Sequence, residues 1–376
     1  MEINKPLEGI KVVEISTIVT ASLATMMMSD QGAEVIKIEQ KGIGDPMRYL
    51  GTQKGGTSAL FANCNRGKSS IDLDLKNNED LEIARRLIQE ADVLINNFRP
   101  GVMEGLGLSH EECKNLNESL IYVSINGFGN TGPFSNHPAY DHVVQAMSGA
   151  TSIQASEDNP EYIKTLLCDK ITAYTACQSI SSALFKRERT GVADKIDLSM
   201  IDSAIFFLWP DGMMNHTLLD KDVPQLAPLT KSYSMYQCKD GAISIAALAD
   251  RHWFGIFKAI EKPEFVEDER FNNMMGRSEN MVELIGALSA FSELTVSEAI
   301  ERLEKEDVPC SKNITLDELM DHPQIKANEL LQQISSVHQG SVRAIRYPAI
   351  FNGEKLINSK PAPSLGEDKE TVLNKS

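Results

Sequence analysis

The sequence predicts an α/β protein in which a parallel sheet is covered by helices on both faces and a second, smaller domain follows. Short β-rich runs alternate with helical patterns over the first 130 residues, and the segments between the runs are long enough to hold crossover helices. The composition shifts near residue 225, where the second domain is expected to follow. A chain of 376 residues has room for two domains or three.

The strands predicted for the sheet are short and mostly apolar. They span Ile10–Ile15, Val35–Glu39, Ile71–Leu75, Val93–Asn97, Leu120–Ile125 and Lys195–Met200. Near-continuous apolar runs of this length are typical of strands that are buried on both faces. The sequence therefore predicts a sheet in the interior of the larger domain.

Helical patterns lie between these strands. Ala21–Ser29 is predicted to be a helix that ends at Gly32, a residue suited to a left-handed C-cap. Glu79–Glu90 has one apolar face and acids in its first turn, with Asn78 as the expected N-cap. Ile171–Arg187 carries a stripe of small and apolar residues and basic residues in its last turn.

The second half of the chain is predicted to contain a linker and a smaller α+β domain. The large domain is expected to span residues 1–205, the linker residues 206–230 and the small domain residues 231–325. Ser234–Ala247 is predicted to be a hairpin that turns at Asp240–Gly241, and three helical patterns follow between Arg251 and Asp321.

The charge balance argues against polyanionic partners. The chain carries 37 basic and 53 acidic side chains, a net charge of −16, and no run of Lys or Arg exceeds two residues. A nucleic-acid or anionic-membrane surface is therefore not expected, although one local basic pocket could hold phosphates. No apolar stretch approaches the roughly 20 residues that span a bilayer.

The cysteines indicate a reducing compartment. All six are scattered without a C-x-x-C pair, so the sequence predicts free thiols and neither a disulfide framework nor a metal site. The N-terminal residues MEINKPLEGIKVVEIS lack the basic and then apolar layout of a secretion signal. A cytoplasmic protein is expected.

Two local patterns could bind phosphate groups. Gly127–Gly132 (GFGNTG) fits G-x-G-x-x-G after a strand, but Pro133 follows and no helix is predicted there, so a plain glycine turn is favoured over a dinucleotide site. Basic side chains also recur near the loops of the predicted sheet, and they would be either a phosphate site or scattered solvated charges. These residues are Lys37, Lys41, Arg48, Arg66, Lys68, Lys76 and Arg99.

Asp169 is the candidate catalytic residue. It precedes the predicted helix at Ile171–Arg187, where the helix-end N–H groups and dipole are expected to favour the ionised carboxylate. A carboxylate nucleophile needs no base to activate it, but it must stay deprotonated and accessible. The alternative is that Asp169 is an ordinary helix N-cap.

Several motifs in register resemble the family III CoA-transferases of the CaiB/BaiF type, a group that includes formyl-CoA transferase and α-methylacyl-CoA racemase. They are PLEGIKVVEIS, GAEVIKIEQKGIGDPMR, NRGKSSIDLDLK, ADVLINNFRPGVMEGLGL, the INGFGNTGP–AYD–SG run and ERTGVADKIDLSMIDSA. The resemblance implies an open Rossmann-like αβα large domain that residues 326–376 complete. It also implies a homodimer of interlocked rings.

The resemblance implies that the enzyme moves CoA from an acyl-CoA donor to a carboxylic acid acceptor, with no permanently bound cofactor. Asp169 falls on the family's nucleophilic aspartate, which forms an aspartyl anhydride and then an aspartyl-CoA thioester. The positions that match the family's CoA contacts are Ile18, Val19, Thr20, Lys41, Leu73, Lys76, Asn97, Phe98, Arg99, Tyr140 and Asp141. Phe98 is expected near the adenine, and Lys76 and Arg99 near the phosphates.

The sequence departs from the family pattern at several positions. Gln40 and Gly105 stand where basic residues are frequent, which leaves open a non-catalytic CoA-binding homologue. The racemase branch has a histidine at the position of Tyr140, and a tyrosine with a pKa of ~10 is a poor base near neutrality. Asp250 falls near a racemase acid, and His137 and His142 are near enough in sequence to substitute for the missing base, so racemisation remains the alternative activity. The glycine-rich flap of formyl-CoA transferases is missing between Pro224 and Tyr236, so formyl and oxalyl exchange is disfavoured.

Overall fold

A computed structural model describes residues 5–155, 158–227 and 233–374. The chain divides into two compact units, the first made of Met1–Met214 with Ala327–Ser376 and the second of Asn215–Lys326. Residues 228–232 lie outside the described residues. They comprise the end of the predicted linker and the first two residues of the predicted small domain. They also belong to the segment between Pro224 and Tyr236, where the glycine-rich flap is missing.

A six-stranded parallel sheet forms the centre of the first unit, as the sequence predicts. Its strands are β1 (Lys11–Ile15), β2 (Glu34–Gln40), β5 (Ser69–Leu73), β6 (Val93–Asn96), β7 (Ile121–Asn126) and β8 (Lys195–Ser199). They lie in the order β5-β2-β1-β6-β7-β8, and every adjacent pair is parallel. In chain order this is third, second, first, fourth, fifth and sixth, the strand order of Rossmann-type sheets.

Helices cover both faces of this sheet. The helices of the first unit are α1 (Val19–Asp30), α2 (Ala59–Asn65), α3 (Asn78–Gln89), α4 (Val102–Gly105), α5 (His110–Leu116), α6 (Asp141–Met147), α7 (Ala150–Gln154), α8 (Leu167–Thr190), α9 (Met200–Gly212) and α17 (Lys369–Leu373). Helix α10 (Met214–Thr217) begins at the last residue of this part of the first unit and continues into the second. One apolar core lies between the sheet and α1 with α8, and a second lies between the sheet and α3, α4, α5 and α17.

Helix boundaries differ from the sequence prediction in two places that concern capping. The long helix α8 begins at Leu167, so Asp169 lies inside its first turn and does not precede it. Leu166 stands at the N-cap and makes no side-chain cap there. The N-cap of α3 is Asn77 instead of Asn78, and its side chain accepts from the backbone N–H groups of the first turn.

Two short strand pairs and a hairpin complete the first unit. The pairs are β3 (Gln53–Lys54) with β4 (Thr57–Ser58) and β14 (Ile350–Phe351) with β15 (Glu354–Lys355), and the hairpin is β12 (Leu331–Ser336) with β13 (Gly340–Ile345).

The C-terminal tail packs against the N-terminal half of the chain. The Gly67 backbone N–H donates to the Lys360 carbonyl at 3.0 Å. The Ser70 N–H donates to the Asp368 carboxylate at 2.9 Å, and Val372 is buried in the core beside α3. The first unit is therefore built from both ends of the chain.

The second unit is a three-stranded antiparallel sheet with helices around one apolar core. Its strands are β9 (Met235–Cys238), β10 (Gly241–Ile245) and β11 (Cys310–Lys312), in the order β11-β10-β9. Its helices are α11 (Asp250–Ala259), α12 (Met274–Glu279), α13 (Met281–Leu288), α14 (Val296–Lys305), α15 (Leu316–Leu319) and α16 (Pro323–Ala327).

Three details of the second half of the chain depart from the prediction. Cys238 pairs with Gly241, so the hairpin turns at Lys239–Asp240, one residue earlier than expected. More helical segments occur after Arg251 than the three predicted. Helix α9 continues through Gly212 and α10 follows it, so the first part of the segment predicted to be a linker is helical.

Within the described ranges no helix is both long and apolar enough to cross a membrane. The described residues also contain no group of three or more His, Cys, Asp or Glu side chains arranged to hold a metal ion.

Candidate active site

The turn after β1 lies at the topological switch point of the sheet. Strands β1 and β6 are neighbours there, and the chain leaves them toward opposite ends of the strand order. The Thr17 N–H donates to Asn97 Oδ1 at 3.0 Å, and Asn97 Nδ2 donates to the Thr17 carbonyl at 2.6 Å. Ligands of open α/β sheets bind at this point, outside the carboxyl ends of the strands.

Ile18 adopts an unusual backbone conformation in this turn. Its φ of 62° and ψ of −154° fall in a region that is nearly restricted to glycine. The Ile18 N–H donates to Asp45 Oδ1 at 3.0 Å. Helix α1 begins at the next residue, Val19, so this turn sets the direction in which the helix starts.

Asp169 meets the first turn of α1. Thr20 Oγ1 donates to Asp169 Oδ1 at 2.5 Å, which joins residues 149 positions apart in the sequence. The Asp169 backbone N–H donates to Asp141 Oδ2 at 3.0 Å, and Gln145 Nε2 donates to Asp141 Oδ1 at 2.6 Å. The first turns of three helices, α1, α6 and α8, thereby meet at Asp169, whose carboxylate is bound by α1 and whose backbone N–H is bound by α6.

The second oxygen of Asp169 is open. The side chain as a whole is only 6% exposed. Among the described residues, Oδ2 accepts no hydrogen bond, and the fully buried side-chain oxygens that lack one are Asp45 Oδ2 and Gln339 Oε1 alone. Oδ2 therefore retains contact with solvent, so the carboxylate has one oxygen held and one available.

Burial determines the protonation of Asp169. Desolvation raises its pKa to about 6, the Thr20 hydroxyl opposes that shift, and the nearby Asp141 carboxylate adds to it. The net pKa of Asp169 therefore lies above its ordinary value despite the position at a helix end, because no cation among the described residues offsets the desolvation. A group with a pKa of about 6 is nevertheless mostly ionised at pH 7.

Most of the predicted basic cluster serves the fold. The Lys37 and Lys68 ammonium groups bind Glu14 at 2.6 and 2.8 Å, and all three side chains are fully buried. Arg48 makes a bidentate pair with Glu39, with N–O distances of 2.7 and 2.8 Å. Arg66 makes a second buried bidentate pair, with Asp30. These four cations cannot bind a phosphate, because carboxylates already occupy them in the interior.

Lys76 and Arg99 differ from the buried cations. Both are exposed, and neither makes an ion pair with any described residue. Lys76 follows β5 and Arg99 follows β6, so both lie beyond the carboxyl ends of strands in the sheet. Lys41 follows β2 and is exposed, but its ammonium lies 2.9 Å from Asp80 Oδ2.

The sequence matches the family described as CoA-transferase family III over residues 7–369. The chain belongs to this family. Its site thus lies in an enzyme of the family III CoA-transferases.

Relatives and solved structures cover nearly the whole chain. It is 34% identical to the acetyl-CoA:oxalate CoA-transferase of Acetobacter aceti, over 96% of this chain and 93% of that protein. It is 31% identical to the probable fatty acyl-CoA transferase Rv3272 of Mycobacterium tuberculosis, over 98% of each. A crystal structure of Rv3272 superposes with a TM-score of 0.86 at 30% identity, covering 98% of this chain and 99% of that one.

A further solved structure comes from Brucella suis. This CAIB/BAIF family protein superposes with a TM-score of 0.86 at 31% identity, covering 99% of this chain and all of that one. The α/β architecture of this family III CoA-transferase is therefore shared with known members.

The remaining positions that match the family's CoA contacts lie around the same sheet edge. Leu73 is buried at the end of β5, and Phe98 is half-buried beside the core under α3. Tyr140 is 62% exposed at the N-cap of α6. The GFGNTG segment forms a turn-rich loop without a helix, and the Gly129 N–H donates to Asn126 Oδ1 at 2.5 Å. The plain-turn interpretation of this segment is thus the correct one.

Sequence reasoning missed two polar residues that hold the site together. Asp45 was not singled out, although it receives the Ile18 N–H. Gln145 was not singled out either, although it fixes Asp141. A DP dipeptide such as Asp45–Pro46 is a signal for a turn only, whereas Gln145 follows Asp141 by one helical turn, a spacing that predicts side-chain contact.

Proposed function

We propose that this family III CoA-transferase moves CoA from an acyl-CoA donor to a carboxylic acid through covalent intermediates on Asp169. The observation that carries the proposal is the asymmetry of this carboxylate, which is buried at the switch point with Oδ1 bound to Thr20 and Oδ2 open. Such a group is ionised at neutral pH and presents one oxygen for attack.

In the first half of the reaction, Asp169 Oδ2 attacks the thioester carbonyl of the donor. The C–S bond breaks, which gives a mixed anhydride and CoA thiolate. The thiolate then attacks the aspartyl carbonyl of the anhydride and expels the donor acid as its carboxylate. Asp169 is left as an aspartyl-CoA thioester.

The second half reverses these steps with the acceptor. The acceptor carboxylate attacks the aspartyl thioester, forming a new anhydride and releasing CoA thiolate. The thiolate attacks the acceptor's acyl carbonyl, which gives the new acyl-CoA and restores the Asp169 carboxylate. No metal, redox group or net proton is needed, but water must be kept from the anhydride.

Coenzyme A is proposed to lie along the carboxyl edge of the sheet. Lys76 and Arg99 are suited to its phosphates because they have no counter-charge in the described structure, unlike Lys41. The adenine is proposed to lie near Phe98. The other contacts proposed from the matching positions are Ile18, Val19, Thr20, Leu73, Asn97, Tyr140 and Asp141.

Racemisation has less support. Tyr140 stands where a racemase needs a base, and its side chain is exposed and lies parallel to His142 with ring centres 6.4 Å apart. Asp250, near the position of the racemase acid, is bound to the buried Arg277 guanidinium. The Arg277 guanidinium therefore already occupies this carboxylate.

The chain is proposed to act as a homodimer in the cytoplasm. Large apolar side chains on α8 and α9 are exposed, and exposed apolar patches mark contacts with another protein chain. They are Tyr174, Phe185, Phe206, Phe207 and Trp209. All six cysteines are free, as suits a reducing compartment. Light scattering on the purified chain measures the assembly state, and a monomer would refute the dimer.

Relatives suggest the substrates to test. Their names specify acetyl-CoA with oxalate, succinyl-CoA with glutarate, and fatty acyl-CoA. A panel of these donors with short monocarboxylates and dicarboxylates should show exchange of CoA by chromatography. Oxalate is expected to be a poor acceptor, because the segment between Pro224 and Tyr236 lacks a glycine-rich flap.

Trapping of the intermediate tests the mechanism. Incubation with a reactive acyl-CoA and then hydroxylamine should yield a hydroxamate at Asp169, detected by peptide mass spectrometry. The Asp169→Asn and Asp169→Ala variants should lose turnover and label while retaining CoA binding. An active Asp169→Ala enzyme would contradict the assignment. Deuterium exchange at the α-carbon without CoA transfer would instead indicate a racemase, and CoA binding with neither signal a non-catalytic homologue.

A further inference from the structure

The turn at Thr17 and Ile18 does not adopt its conformation by intrinsic preference. Ile18 is β-branched, and an L-residue with a φ of 62° and a ψ of −154° brings its Cβ against the backbone. Such a conformation persists only where neighbouring groups impose it. Two hydrogen bonds do so here, from the Thr17 N–H to Asn97 Oδ1 and from the Ile18 N–H to Asp45 Oδ1.

Asp45 is itself held from several sides. Its side chain is 1% exposed, and its Oδ2 lies 3.0 Å from the Lys37 ammonium. Its backbone N–H donates to Glu39 Oε2 at 3.0 Å, and its Oδ1 also accepts from the Met47 N–H at 2.9 Å. The oxygen that receives the Ile18 N–H is therefore fixed by the buried charges beneath the site.

The conformation of Ile18 determines where Thr20 points. Helix α1 starts at Val19, directly after Ile18, and Thr20 is the second residue of the helix. Its hydroxyl reaches Asp169 Oδ1 at 2.5 Å, which leaves little tolerance for a change in the direction of the helix start. A relaxed Ile18 would reorient the first turn of α1 and separate this hydroxyl from the carboxylate.

We propose that Asp45 is a positioning residue for the transferase reaction. It holds Ile18 in its strained conformation, so that Thr20 binds one oxygen of Asp169 and leaves the other directed at the substrate. This proposal rests on the function proposed above, since it assigns Asp45 an effect on the nucleophile. Asp45 does not touch Asp169 and acts only through Ile18 and Thr20.

A purely structural role for Asp45 predicts a different pattern. Asp45 also caps the short 3-10 helix at Pro46–Tyr49 through Met47. If that were its whole contribution, its loss would lower stability without depending on the residue at position 18. Glycine at position 18 separates the two roles, because glycine adopts the observed φ and ψ without strain.

The experiment is a double-mutant cycle of Asp45→Ala and Ile18→Gly. We expect Asp45→Ala to lower kcat about 10- to 100-fold, the range produced by small misplacements of reacting groups. Because Ile18 is also a proposed CoA contact, the kcat of Ile18→Gly at saturating acyl-CoA is the reference for the double variant. Asp45→Ala should cost at least about tenfold less in the Ile18→Gly background than in the wild-type background, because glycine keeps access to the required turn. The same cost in the two backgrounds, or an Asp45→Ala enzyme with normal kcat, overturns the proposal.

A second variant covers the case in which Asp45→Ala does not fold. Asp45→Asn keeps an acceptor oxygen for Ile18 but loses the charge that pairs with Lys37, so a fall in kcat of about threefold is expected, with none in the Ile18→Gly background. An equal fall in both backgrounds overturns the proposal. Asp307→Gly is the control for strain relief, since Asp307 also has a positive φ, of 56°, but lies in the second unit.

Hydrogen exchange separates failure of this inference from failure of the proposed function. The Ile18 amide should be protected in the wild type and exchange at least about tenfold faster in Asp45→Ala. That readout needs no substrate. Faster exchange in Asp45→Ala, together with a wild-type protein that transfers no CoA, would refute the transferase proposal but retain the contact. Unchanged exchange in Asp45→Ala would refute the positioning role even in an active enzyme.

Discussion

Glu14 and Asp169 are two buried carboxylates that both accept hydroxyl groups from helix α1. Thr25 binds Glu14 at 2.6 Å, and Thr20 binds Asp169 at 2.5 Å. Burial would raise the pKa of Glu14, but Lys37 and Lys68 outweigh it and hold that pKa well below its usual range. Asp169 has no cation beside it, so burial raises its pKa to about 6. The Glu14 carboxylate is therefore bound by cations within the fold, whereas the Asp169 carboxylate remains available to react.

Removing a cation that pairs with Glu14 should have the largest effect on the free energy of unfolding. Lys37→Met leaves Glu14 and Asp45 short of a cation in the interior, so we expect a loss of about 3–5 kcal/mol in the free energy of unfolding. Urea denaturation of the first unit measures it. Lys11→Met is the matched control, because Lys11 makes an exposed pair with Glu90 that should contribute at most about 1 kcal/mol. An equal loss in the free energy of unfolding for Lys37→Met and Lys11→Met would contradict the distinction between buried and exposed ion pairs.

Removing the unpaired charge should act in the opposite direction. Native Asp169 holds its proton up to a pH of about 6, whereas the unfolded chain releases it near pH 3.8, so the ionised group costs native stability at neutral pH. Asp169→Asn should therefore raise the free energy of unfolding at pH 7 by up to about 3 kcal/mol. The gain should shrink below pH 6 and vanish below about pH 4. A variant less stable than the wild type at pH 7 would refute this sign.

The same distinction applies to cations at the sheet edge. Lys76→Ala and Arg99→Ala should each raise the Kd for acyl-CoA about tenfold, or about 1.4 kcal/mol, with no loss of stability. Lys41→Ala should raise the Kd for acyl-CoA about twofold at most, because Asp80 already binds the Lys41 ammonium. Calorimetric titration with CoA measures all three. A rise in Kd for Lys41→Ala as large as for the other two variants would show that an ion pair with Asp80 does not keep Lys41 from binding CoA.

The smallest effect is expected from the single hydroxyl on Asp169. Turnover should fall below pH 6 as the carboxylate is protonated, by about tenfold per pH unit. Because the Thr20 hydroxyl favours the ionised form, Thr20→Val should move this acidic limb upward by up to about one pH unit. The pH profile of kcat/KM, which reports the free enzyme, measures the shift. A limb that moves downward would show that the hydroxyl does not stabilise the carboxylate.

Local patterns predict the parallel sheet well, because most of its strands are compact apolar runs. The strand predicted at Val35–Glu39 is extended by one residue at each end in the structure. The start of α8 is missed because Leu166 gives no capping signal, whereas Asp169 three residues later is a strong N-cap type. Capping rules locate helix ends only where a side chain satisfies the first turn.

The site is less predictable because its contacts are long-range. The resemblance to a family identifies Asp169, but no local pattern predicts that Thr20 would meet it. The sequence alone predicts either a phosphate site or scattered solvated charges for the basic residues. Neither alternative holds for the four that are buried in ion pairs, Lys37, Arg48, Arg66 and Lys68. One signal was present, since Glu14 interrupts an apolar strand and a buried carboxylate requires a partner.

The return of the C-terminal tail has a consequence for biosynthesis. Arg48 donates to the Pro363 carbonyl at 3.1 Å, and Ser70 binds Asp368 across 298 residues of sequence. A ribosome releases the strands around these groups long before it translates their partners. We therefore expect the nascent first unit to stay incomplete until the segment that carries Pro363 and Asp368 has been translated.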